Sequence, residues 1–99
     1  MEFKQLEPVY HLDVVAEAMY GREKEFYHYD LNRRNFENIL TQSIAPEFRA
    51  VIEKNLADTL ARMAEVDAIY AALKVQADAA DPVAWADAVA RTAAKRAVV

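Results

Sequence analysis

Apolar residues recur at three- and four-residue spacings along nearly the whole chain, and four punctuation marks, Pro8, Gly21, Pro46 and Pro82, divide the pattern into helical segments. The first segment, from about Pro8 to Tyr20, sets Val9, Leu12, Val15, Ala16 and Met19 on one face, with Gly21 as its C-terminal stop. From about Arg22 to Gln42, the residues Phe26, Tyr29, Arg33, Phe36, Ile39 and Leu40 predict a second helix with an arginine set into its apolar stripe. An extended stretch is the alternative for residues 25–29, because aromatics favour strands and Asp30 can cap a shorter helix starting at Leu31.

Ala45-Pro46-Glu47 opens a long third helix to about Ala77, with Phe48, Ile52, Leu56, Leu60, Met63, Val66, Ile69, Tyr70 and Leu73 as its stripe. At 1.5 Å per residue it reaches roughly 45 Å, more than a domain of this size needs, so part of the stripe is expected to meet a partner. Asp81 caps a fourth helix from Pro82 to about Ala97, carrying Val83, Trp85, Ala86, Val89 and Ala93, and expected to pack on the third. Lys95 and Arg96 in its final turn complement the helix dipole. The expected architecture is therefore all-α: one domain over residues 1–99, four helices with one long central member, and antiparallel packing.

Composition supports the helical class and narrows the function. With one glycine and three prolines in 99 residues, there is little turn chemistry for hairpins. The absence of cysteine removes disulfides and thiolate metal sites. Neither a cysteine nucleophile nor a glycine-flanked serine is present, Ser43 being the only serine, and a single glycine cannot build a phosphate-cradling loop. These absences argue against an enzyme of the common hydrolase or nucleotide-binding kinds. A net charge of −4 with mixed signs disfavours nucleic acid and anionic membranes as partners. The N-terminal Met-Glu-Phe-Lys-Gln-Leu lacks the blocks of a signal peptide, and no apolar run is long enough to span a bilayer, so a cytoplasmic protein is expected.

Candidate chemistry gathers between Tyr20 and Phe36, which hold five of the ten aromatic residues and one of the two histidines among charges of both signs. Tyrosine and arginine bring large contact area with a polar handle, so Tyr27, Tyr29, Arg33, Arg34 and Phe36 are the candidate partner-binding residues. Arg22 and Lys24 extend the basic positions, but Glu23, Glu25, Asp30 and Glu37 cancel the charge that a nucleic-acid surface would need. Glu25 and His28 also match Glu-x-x-His, the spacing of di-iron carboxylate bundles. In that alternative a homodimer supplies the second motif, and Glu17 and Glu53 complete the ligand set. Glu7 and His11 form a second carboxylate and imidazole pair, which reads more simply as a dipole-favoured acid beside a surface histidine.

In size, acidity and alanine-rich helical tail the chain resembles, in a general way and without a shared motif, small accessory proteins of tailed-phage or prophage gene sets such as assembly chaperones. The expected function is a non-enzymatic interaction or assembly module, without cofactor, binding protein partners that include a copy of itself.

Overall fold

The computed structural model describes residues 7–98, with side chains from His11 to Ala97. They form three helices and no strand: α1 (Glu7–Leu40), α2 (Pro46–Ala79) and α3 (Pro82–Val98). The expected count of four is corrected at Gly21, which lies inside α1. A C-capping glycine adopts positive φ, and Gly21 does not. Residues 25–29 are accordingly helical, which decides against the extended alternative. The expected packing face at Val9 and the Glu7 side chain lie outside the described side chains.

The seam that organises α1 and α2 repeats every 3.5 residues. On α2 the buried or half-buried positions are Ile52, Leu56, Thr59, Met63, Val66, Tyr70, Leu73 and Ala77, alternating steps of four and three. On α1 the same alternation runs through Leu12, Val15, Met19, Arg22, Phe26, Tyr29, Arg33, Phe36 and Leu40, all at least partly covered except Phe26, which stands at the margin with 36% exposure. This phase corrects the stripe expected on α2. Thr59 is buried, while Leu60, Phe48 and Ile69 are 46%, 49% and 41% exposed. A 3.6-residue period drifts off a 3.5-residue seam over ten turns, so an apolar residue adjacent to the seam was read in place of the small polar one on it.

The chain divides into two compact units. One comprises Met1–Gly21 with Tyr70–Val99. Its core is Val15, Met19 and Ala77, with Tyr70, Leu73 and Trp85 packed against them, so α3 covers elements of both other helices. Pro46 and Pro82 each occupy the first position of their helix, where a missing N–H is harmless. Asp81 caps α3: its Oδ2 accepts from the Ala84 backbone N–H at 3.0 Å. Arg91 donates to Asp13 from Nε (3.1 Å) and Nη2 (2.7 Å), pinning α3 to α1.

The other unit, Arg22–Ile69, consists of the second part of α1, the connection at 41–45 and the first part of α2. Arg49 closes the connection by donating to the carbonyls of Leu40 and Gln42, both at 3.1 Å. The Leu40 carbonyl is one of the acceptors that a helix C-terminus leaves without a partner. No helix among the described residues is long and apolar enough to cross a membrane.

Candidate partner-binding surface

The heptad phase of α1 sorts the aromatic segment into two groups. Tyr29, Arg33 and Phe36 lie on the seam and are half-buried, whereas Tyr27 and Arg34, seven residues apart, project outward. Tyr27 is 58% exposed, and its ring meets His28 edge-on at 5.8 Å between centroids. The five residues expected to act together are thus split between a packing role and a surface role.

The charges are organised by pairing. Asp30 receives Arg33 at 2.8 Å and Arg34 at 2.9 Å, and Arg33 also reaches Glu37 at 2.6 Å. The Arg33 hydrogen bond, ahead of the charges of Arg33 and Arg34, holds the Asp30 carboxyl below the ordinary carboxylate range. A second network centres on Glu25, which takes Arg22 at 2.8 Å and Arg62 of α2 at 2.7 Å. Arg62 in turn meets Glu65 at 3.0 Å. The hydrogen bond to Tyr29, followed by those to Glu25 and Glu65, raises the Arg62 pKa above its usual value. Arg62 was not among the residues singled out from the sequence. Its only local signal is Glu65 three residues on, and the partners on α1 are invisible at a separation of 37 residues.

The four candidate metal ligands are placed as follows. Glu25 is occupied by two guanidinium groups, His28 and Glu53 are exposed on different helices, and Glu17 belongs to the other compact unit. Among the described residues, no group of three or more histidine, aspartate or glutamate side chains is positioned to hold a metal ion. His11, of the second pair, is exposed.

Around these polar networks, the Arg22–Ile69 unit leaves large apolar side chains in water. Phe26 is 36%, Tyr27 58%, Phe48 49%, Val51 53%, Leu60 46% and Ile69 41% exposed. Its buried apolar residues are Ile52, Met63 and Val66. No protein-family model, no curated protein and no solved structure matches the chain.

Proposed function

We propose that this protein is a non-enzymatic interaction or assembly module whose Arg22–Ile69 unit binds other protein chains, including a second copy of itself. The observation that carries the reading is the imbalance of that unit: six large apolar residues exposed by a third or more, against three apolar residues buried. The short connection at 41–45 and the Glu25–Arg62 ion pair support an antiparallel arrangement of the two helical spans. Two helices have a single shared seam, and everything outside it faces solvent until further helices pack on it.

Sedimentation velocity of the full chain from low to high micromolar concentration tests the self-association part. A concentration-dependent shift to a heavier species is expected, and a strictly monomeric protein throughout would refute it. Tyr27→Ala and Arg34→Ala should leave thermal unfolding nearly unchanged, since both side chains lie off the seam. Each should weaken partner capture by about 1–2 kcal/mol.

A further inference from the structure

Contacts between α1 and α2 within the Arg22–Ile69 unit advance along one helix as they retreat along the other: Arg49 reaches the Leu40 carbonyl, and Arg62 reaches Glu25. The Glu25–Arg62 pair flanks the seam on one side. Heptad steps from it, in opposite directions on the two helices, set Asn32 level with Asn55 and Ile39 level with Phe48 on that same side. Level by level the two rows match in chemistry: acid with base, amide with amide, apolar with apolar. Asn32 and Asn55 are exposed, Phe48 is 49% exposed, and Val51, one turn further along the outer edge of α2, is 53% exposed. Ion pairs balance the charges on this side, joining Arg22, Glu25, Arg62 and Glu65 in one chain and Lys54 to Asp58.

The opposite side of the seam has no such match. Its rows are Glu23, Asp30 and Glu37 on α1, and Glu53, Leu60 and Asp67 on α2. The cations bonded to Asp30 and Glu37 are Arg33 and Arg34 of α1 itself, and the α2 row supplies none. Two copies joined through this side would set carboxylate rows against carboxylate rows.

Two rows that complement each other across one seam do so again when a second copy is turned by half a rotation about an axis parallel to the helices. That operation lays α1 of each copy against α2 of the other, and a contact made once is made twice. Ile39 then meets Phe48, Asn32 meets Asn55, and Glu25 meets Arg62 between copies as well as within them. Glu25 and Arg62 keep their own partners, because the four charges alternate in sign around the axis. We infer that the Glu25–Arg62 side of this unit is the interface with a second copy, in a four-helix arrangement that carries both connections at one end. Ile39, Phe48 and Val51 supply the apolar burial, and the amide and charged levels fix the symmetry. The inference rests on the interaction reading above and names the face and the symmetry of its self-association.

Sedimentation velocity of the full chain tests the face. Phe48→Glu should raise the concentration at which the chain associates roughly tenfold or more, whereas Tyr27→Glu, the same charge change on the other side, should alter it by less than about twofold. Circular dichroism confirms that each variant is folded. The symmetry is read independently by disulfide trapping in this cysteine-free chain. His28 and Asp58 are exposed one row further from the seam and come opposite each other only across the axis. Separately purified His28→Cys and Asp58→Cys chains should therefore form a mixed disulfide when combined and oxidised, and neither should cross-link appreciably alone. Self-linked products from either chain alone would mean that the copies run in opposite directions and would overturn the arrangement. Self-association that survives Phe48→Glu, or is lost in Tyr27→Glu, would overturn the face and leave the broader interaction reading standing. A chain that stays monomeric at every concentration would overturn both this interface and the self-association in that reading.

Discussion

Val66→Ala and Leu60→Ala form a matched pair that tests the heptad phase of α2, because both lie in the Arg22–Ile69 unit and report on the same unfolding. Val66 is 1% exposed. Its truncation removes two methyl groups, about 1.6 kcal/mol of transfer free energy at about 0.8 kcal/mol per group, and the enclosed cavity raises the loss to about 2–3 kcal/mol. Leu60 is 46% exposed, so truncation forfeits only about half of the transfer free energy of three carbons, and the open side leaves no cavity. Alanine's slightly better helix propensity offsets a few tenths, leaving a loss of about 1 kcal/mol. For a chain of this length these values correspond to melting shifts of roughly 10–15 °C and roughly 5 °C or less. Urea unfolding followed by circular dichroism should be run at low micromolar concentration, where linkage to the proposed self-association would contribute least. A Leu60→Ala loss equal to or larger than that of Val66→Ala would place Leu60 on the seam and refute the 3.5-residue phase.

Three further outcomes follow from local features. Gly21→Ala should stabilise the protein by about 0.5–1 kcal/mol in thermal melts, since Gly21 has ordinary helical φ and a Cβ built there meets no atom within 4 Å. Asp81→Ala should cost about 1 kcal/mol by uncapping α3, read as a lower melting temperature. The Arg91 hydrogen bond, with the charges of Arg91 and Lys95, holds the Asp13 carboxyl below its ordinary value of 3.8. Its stabilisation is therefore complete above that value and is lost as pH falls through the depressed folded pKa. Melts between pH 2 and pH 5 should show a flatter acid limb for Asp13→Asn than for the unsubstituted protein.

The helical class, the starts of α2 and α3 and the cap at Asp81 were legible because prolines and a capping carboxylate act locally. Gly21 misled for an equally physical reason. Glycine weakens a helix interior by only about 1 kcal/mol, and packed positions on both sides, Met19 and Arg22, carry the helix through it. The phase of α2 was hidden by Thr59 and Ala77, which sit on the seam without an apolar signal of their own, while Leu60 and Ile69 sit beside it and supply one. Within the aromatic segment composition treats the residues alike. Only the seam separates Tyr27 from Tyr29, and only the fold shows that Glu25 belongs to Arg22 and Arg62. The Asp13–Arg91 pair spans 78 residues and leaves no local trace in either segment.

The polar residues on the α1 seam explain why a weakly apolar unit can still choose one alignment of its helices. Arg22, Tyr29 and Arg33 occupy positions where a simple coiled coil would place leucine or isoleucine, and Thr59 does so on α2. Such residues contribute little hydrophobic stabilisation, and charged groups on a seam are tolerated only when their partners are in place. Here they are: Arg22 and Arg62 converge on Glu25, and Arg33 is held between Asp30 and Glu37. Displacing α2 by one heptad would bring Asn55 or Ile69 to the place of Arg62, leaving Glu25 without its cross-helix cation. The networks thus define the alignment while conceding stability, and the apolar area that would restore stability lies outside the seam, on Phe48, Val51, Leu60 and Ile69. A unit built in this way has its alignment defined by ion pairs and keeps large apolar side chains outside the seam, and the proposed interaction role rests on that combination.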